Sequence, residues 1–218
     1  METTEAQSSG NRQHFRYEDI VALVDAGASV LDLGCGDGEL LLRLITEKSV
    51  RGRGVEIEED LIRQCISKGL SVFQGNLDEG LRDYGTATYD YVILNQTLQV
   101  IRNPVLLLKE MLRVGRRVIV SFPNFAYWSN RLQLAIAGRM PVTRSLPYQW
   151  YDTPNIHLFT RKDFIELCRS LNVRVLQEIS VQRSRAIHGP FLNVRASEVC
   201  FVLMNHQRAL DDTAKTLL

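Results

Sequence analysis

The segment Val30-Leu31-Asp32-Leu33-Gly34-Cys35-Gly36-Asp37-Gly38-Glu39-Leu40 constrains the fold of this chain more than any other. An apolar run holds Asp32 near its end, Gly34, Gly36 and Gly38 then alternate, and a leucine-rich helical pattern follows. That order reads as strand, tight turn, helix. Glycine tolerates positive φ and, lacking a Cβ, lets a ligand lie against the backbone. The free N–H groups that open the next helix point at the same place. Position 39 is Glu, so the spacing is G-x-G-x-G, which departs from the G-x-G-x-x-G of pyrophosphate-binding dinucleotide sites. The alternative is a glycine turn that only closes a βα unit. The acid two positions before Gly34 argues for a ligand site instead.

The pattern continues as an alternation. Apolar runs at Ser29–Leu33, Gly52–Ile57, Ser71–Gln74, Tyr89–Leu94 and Arg117–Phe122 predict strands, and the segments between them predict helices at 38–48, 59–68 and 104–112. The run at 89–94 reads as a central strand covered on both faces. Tyr17–Val24 predicts a helix ahead of the first strand. Thr160 and Asp163 have the spacing of a capping box that opens a helix ending at Ser170. Val173–Val181 and Glu198–Met204 predict a late antiparallel pair at the sheet edge. Strands alternating with helices argue for a doubly wound, mostly parallel α/β sheet of seven strands, Rossmann-like, with the last strand antiparallel.

One region breaks this rhythm. An insertion at 123–157 holds Phe125, Tyr127, Trp128, Tyr148, Trp150 and Tyr151 with four prolines, and a helix is predicted within it over 127–137. Loops of this length inside a compact domain are usually lids or binding surfaces. The alternative is that these aromatics form a local satellite core. The remaining division is a mobile N-terminal tail over 1–15, one domain over 16–205 and a C-terminal tail over 206–218.

The formal net charge of +1 supplies no field that would draw nucleic acid or an acidic membrane. No run approaches the ~18 apolar residues of a membrane span, and 1–10 lack the apolar core of a signal peptide. A cytoplasmic location is expected. Cys35, Cys65, Cys168 and Cys200 are widely spaced, as in reduced thiols rather than a disulfide frame or a metal site. No metal is expected. Cys35 lies inside the glycine turn, either lining a pocket or filling a tight space.

In open α/β sheets ligands bind beyond the carboxyl ends of the strands. Asp32 ends the first predicted strand and Glu56 the second. A carboxylate at 56 can accept from both hydroxyls of a ribose; the alternative is a solvated surface acid. Asn76 follows the third strand, and Asp78 nearby either contacts a ligand or caps the next turn. Asn95 and Gln96 end the fourth strand, where they either meet a substrate or close the turn. His157 suits a structural hydrogen bond better than a base. Arg183, Arg185, His188 and Arg195 form a diffuse basic segment that reads as a solvated face.

An acid two residues before G-x-G-x-G resembles motif I of class I S-adenosylmethionine-dependent methyltransferases. By that resemblance Asp32 orients the methionine amino group, Glu56 holds the ribose, and the cofactor-binding set is Asp32, Gly34, Cys35, Gly36, Gly38, Glu56, Ile57, Asn76, Leu77 and Asn95. The related enzymes usually carry an acid at position 76, so Asn76 is a departure at the adenine. The resemblance implies S-adenosylmethionine or S-adenosylhomocysteine as the bound molecule. No Asn-Pro-Pro-aromatic motif follows the fourth strand and no Pro-Cys nucleophile is present, which argues against nucleobase methylation.

A longer resemblance covers about 17–205. Asn95-Gln96-Thr97-Leu98-Gln99, Ser121-Phe122-Pro123-Asn124-Phe125, Arg139-Met140-Pro141-Val142-Thr143 and Leu146 through Leu158 are similar to the MetW family of methionine-biosynthesis proteins. That resemblance implies an accessory or regulatory partner of the homoserine O-acyltransferase MetX, with the aromatic insertion as its contact region. A methyltransferase acting on a small molecule is the second reading, and an NAD-linked enzyme a weaker third.

Overall fold

The computed structural model describes residues 17–143, 145–183 and 185–208. The predicted tail over 1–15 lies outside the described residues, as does most of the C-terminal one.

The alternation in the sequence becomes β1 (Ser29–Leu33), α2 (Glu39–Lys48), β2 (Arg51–Glu56), α3 (Glu59–Ser67), β3 (Val72–Gln74), β4 (Tyr89–Asn95), α4 (Pro104–Val114) and β5 (Gly115–Pro123), preceded by α1 (Tyr17–Leu23). After α5 (Trp128–Ala137) and α6 (Arg161–Ser170) come β6 (Val173–Gln182), β7 (Arg185–Ile187), the single turn α7 (Leu192–Arg195) and β8 (Glu198–Asn205). These strands form one sheet in the order β3-β2-β1-β4-β5-β8-β6-β7. The first five pair in parallel, and β8 runs antiparallel to both β5 and β6.

The seven strands read from the sequence are all present, and β7 adds an eighth, paired antiparallel to β6. Its three residues, Arg-Ala-Ile, fall in the segment read as a solvated basic face. The late pair Val173–Gln182 and Glu198–Asn205 does form, but β8 is interior and the sheet edge is β7.

Unbroken apolar strands arise because both faces of the sheet are covered. Leu31, Leu33, Val92, Leu94, Val118, Val120 and Phe201 face one core, shared with Leu107, Leu108 and Met111 of α4 and Phe164 of α6. Their neighbours Val30, Tyr91, Ile93, Ile119 and Cys200 face the other, shared with Ile20 and Val24 beside α1 and Leu40 and Leu44 of α2. Successive strand residues point to opposite faces, so apolar residues occupy adjacent positions. The Phe122 ring packs at a tilt 4.6 Å from Phe159 and 4.8 Å from Phe164, which fixes the chain where it returns from the insertion. The capping box of α6 forms, with Thr160 accepting from the Asp163 N–H and Asp163 accepting from the Thr160 N–H.

The aromatics of the insertion do not make a satellite core. Tyr127 is buried, whereas Trp128, Trp150 and Tyr151 are exposed. Among the described residues no helix is long and apolar enough to cross a membrane.

Candidate cofactor cleft

The strand order reverses direction between β1 and β4, the point where a sheet of this kind leaves a crevice beyond its carboxyl ends. A cleft of about 150 Å³ opens at this point. Among the residues expected at a ligand site, Asp32, Gly34, Cys35, Gly36 and Asn95 line it. Tyr17, Asp37, Leu40 and Gln96 complete the wall.

The turn after β1 is built on three left-handed glycines, Gly34, Gly36 and Gly38, with φ of 63°, 59° and 79°. They do different work. A Cβ on Gly36 would meet nothing within 4 Å, so this glycine leaves its backbone open. A Cβ on Gly38 would stand 2.4 Å from Leu70 Cδ1 and 2.9 Å from Cys65 Sγ, so Gly38 permits the approach of the segment around α3. Gly34 is pinned under Thr97 and donates its N–H to Val55 O at 2.8 Å. Cys35 packs its side chain with Leu41, Cys65 and Leu70. Burial pushes its thiol well above the ordinary range, so it acts as a filler of tight space on the cleft wall.

Glu56 ends β2 and is only 7 % exposed, which excludes a solvated surface acid. One oxygen accepts the Gly36 N–H at 2.8 Å. The other accepts the N–H groups of Ile57 and Glu58 at 2.7 and 3.1 Å. The carboxylate thus clamps the glycine turn to the end of the neighbouring strand. The oxygen that takes the Gly36 N–H keeps one lone pair for a further donor, whereas the other is filled by its two N–H groups.

Asp32 is 2 % exposed, and its Oδ2 has no hydrogen-bond partner. Desolvation, followed by the charge of Glu56, pushes its carboxyl up to about 7. An orphaned buried acceptor is costly, and an acid in this state is ready for a donor, above all a cationic one.

Beyond Asn95 the cleft wall is a polar network. Ser121 Oγ donates to Asn95 Oδ1, and the Gln96 N–H donates to Ser121 O at 3.0 Å. Gln96 takes a positive φ of 55° although it is not glycine. Its carbonyl accepts from Gln99 Nε2 at 2.7 Å, and the Gln99 carbonyl accepts the N–H groups of Ile156 and His157, each at 3.0 Å. His157 therefore serves through its backbone, while Gln99 Oε1 and His157 Nε2 stay buried without partners.

The structure does not bring the whole expected set together. Ile57 is 53 % exposed at the end of β2, outside the cleft. Asn76 and Leu77 line a separate, wider hollow beside β3. Asn76 Oδ1 accepts from the Asp78 N–H at 3.1 Å and caps its own turn. Asp78 in turn accepts the Arg102 N–H at 2.8 Å, so it holds the loop ahead of α4. Tyr17 was missing from the sequence reading; it opens α1, and no local pattern marks it as a cleft residue.

A parallel sheet of this order, a glycine turn after β1 and a buried acid ending β2 define the class: this is the fold of class I S-adenosylmethionine-dependent methyltransferases. A SAM-dependent methyltransferase from Archaeoglobus fulgidus superposes with a TM-score of 0.61 at 15 % identity, covering 86 % of this chain and 94 % of that one. The [4+2]-cyclase SpnF gives 0.62 at 15 % identity, with 90 % and 85 % covered. The model of the family described as methionine biosynthesis protein MetW matches residues 12–203, and the chain belongs to that family. The bifunctional methionine biosynthesis protein MetXA/MetW of Rhodopirellula baltica is 37 % identical over 198 residues, covering 84 % of this chain. The chain spans only 32 % of that relative's length.

Proposed function

We propose that this protein is an accessory subunit of a homoserine O-acyltransferase of the MetX type, and that its cleft binds S-adenosylmethionine or S-adenosylhomocysteine. The observation that carries the first part is the relative whose single chain is named for both MetXA and MetW. Two activities joined in one polypeptide work at high effective concentration, and separate chains of the same families have reason to associate.

The cleft supports the second part. The unpartnered Oδ2 of Asp32 suits the ammonium of an amino-acid moiety, Gly36 leaves room against the backbone, and one oxygen of Glu56 retains a lone pair for a ribose hydroxyl. The cleft is smaller than the ~300 Å³ at the low end of small-molecule pockets. It therefore takes the amino-acid end, and the remainder lies beyond Glu56 toward Ile57. S-adenosylmethionine carries a sulfonium-activated methyl group; in an accessory subunit this chain need only bind and report it. Fold does not fix activity, and SpnF, named as a cyclase, has the same fold.

Acyl transfer to homoserine by the acyltransferase of the same organism, with and without this chain, tests the proposal. A large rate increase is expected. An unchanged rate with no complex formed would defeat it. Glu56→Ala then separates binding from scaffolding: if acyltransferase support depends on the cofactor, this variant loses its response to added S-adenosylmethionine.

A small-molecule methyltransferase is the second reading, favoured by the polar wall of Asn95, Gln96 and Ser121 beside the cleft. Transfer of labelled methyl to a metabolite extract would support it.

A further inference from the structure

Helix α5 has an unusual relation to the rest of the molecule. Of its ten residues, Trp128 to Ala137, the only buried one is Asn130. Trp128, Leu132 and Ile136 recur every fourth position and so share a stripe along the helix. All three are exposed, Ile136 by 77 %. The strap that follows adds Met140, Val142, Trp150 and Tyr151, with Trp150 exposed by 73 %.

Isolated helices shorter than ~12–15 residues are marginal in water, and helices in proteins owe their stability mainly to burial of an apolar face. Helix α5 buries no apolar side chain. It is held by polar stitches: Asn130 Nδ2 donates to Phe125 O at 3.2 Å, Thr143 Oγ1 to Asn130 Oδ1 at 2.9 Å, and Arg131 Nε to Ala126 O at 2.6 Å. Its ends are anchored to the body, where the Asn124 N–H meets Ser197 O at 2.9 Å and the Phe125 N–H meets Phe159 O at 3.2 Å. The segment is positioned, yet its apolar stripe faces outward.

Its composition has the signature of a protein interface. In a chain of 26 basic and 25 acidic residues, 123–151 contains no lysine, aspartate or glutamate. It does contain both tryptophans, together with tyrosine, methionine and arginine, the types enriched where proteins meet. A bilayer surface would favour a strongly charged polar face, whereas Arg131 is the only charge on α5.

We propose that the stripe Trp128–Leu132–Ile136, with Trp150, is the docking surface for the homoserine O-acyltransferase. This rests on the reading given under the proposed function. The fused relative supplies the reason to choose that occupant over a second copy of this chain. The strap is also tied to the cleft wall, because it returns through Ile156 and His157 to the Gln99 carbonyl, and Gln99 binds Gln96.

The test measures binding of the purified acyltransferase to the full chain, to Ile136→Asp, to Trp150→Ala, and to Ile66→Asp as an exposed control on α3. The two stripe variants should weaken binding ~30-fold or more, as for hot-spot residues. Ile66→Asp should bind as the parent does, and all should keep the parent's S-adenosylmethionine affinity and melting behaviour. If the parent binds and the stripe variants bind equally well, the surface is wrong and the function stands. If the parent fails to bind, both fall. A parent dimer that Ile136→Asp converts to monomer, with acyltransferase binding unchanged, would assign the stripe to self-association and overturn the proposal. Parent binding to anionic vesicles that the stripe variants lose, again with acyltransferase binding unchanged, would do the same.

Discussion

Asp32 carries a measurable pH signature. Burial and the Glu56 charge raise its carboxyl from 3.8 to about 7. Between those values the folded chain keeps a proton that the unfolded chain has lost, so this group's contribution to stability falls as pH rises through that window. Above it, the full cost is in place. Asp32→Asn cannot ionise and should be more stable than the parent by roughly 2–4 kcal/mol near pH 8, with little difference near pH 4. Urea unfolding at both ends of the window checks this. The same variant should bind S-adenosylmethionine less well, since the acceptor for a cation is gone. Gly38→Ala tests the turn beside it. The φ of 79° and the 2.4 Å approach to Leu70 both oppose a methyl group, and a loss of ~2 kcal/mol or more is expected. A change within error at Gly38 would mean that the turn relaxes around a side chain.

At the scale of elements, Thr160→Ala removes the acceptor that closes the capping box on α6 and should cost ~1 kcal/mol, read as a drop in melting temperature. That box was legible because Thr160 and Asp163 lie three apart and bond only to each other's backbone. The central strands were legible for a similar reason: Tyr91, Val92, Ile93 and Leu94 of β4 meet the two cores in alternation, so burial writes itself into successive positions. The short β7 was not, because its three residues owe their conformation to pairing with β6 across a turn. Asp32, Gly34 and Gly36 line the cleft and follow from local sequence, while Glu56 and Gly38 lie outside its lining, Glu56 reaching it only through its bond to the Gly36 N–H. Tyr17 is brought in by tertiary packing alone. Asn76, a position inferred from resemblance, caps its own turn and lines a hollow other than the cleft, a placement set by the loop after β3 that spacing alone does not give.

For the molecule as a whole, a ligand that binds only the folded chain should raise its stability in proportion to occupancy. S-adenosylmethionine at a hundred times its dissociation constant would add ~2.7 kcal/mol, seen as an upward shift in melting temperature that Glu56→Ala abolishes. An absent shift in the parent would remove the cofactor from the proposal while leaving the acyltransferase partnership to its own test.

The place of β8 has a consequence for how the chain is made. Among the described strands it is the last in chain order, yet it lies between β5 and β6, and its residues Val199, Phe201 and Leu203 fill one core while Cys200 and Val202 fill the other. Until Glu198–Asn205 has emerged from the ribosome, the edge of β5 stays open and β6 has no seat beside it. A nascent chain must therefore carry an unfinished sheet until that strand is made, a state prone to pairing with its neighbours. Slow translation through 198–205 should lengthen that exposure, and cells with little chaperone capacity should yield the protein mainly as aggregate.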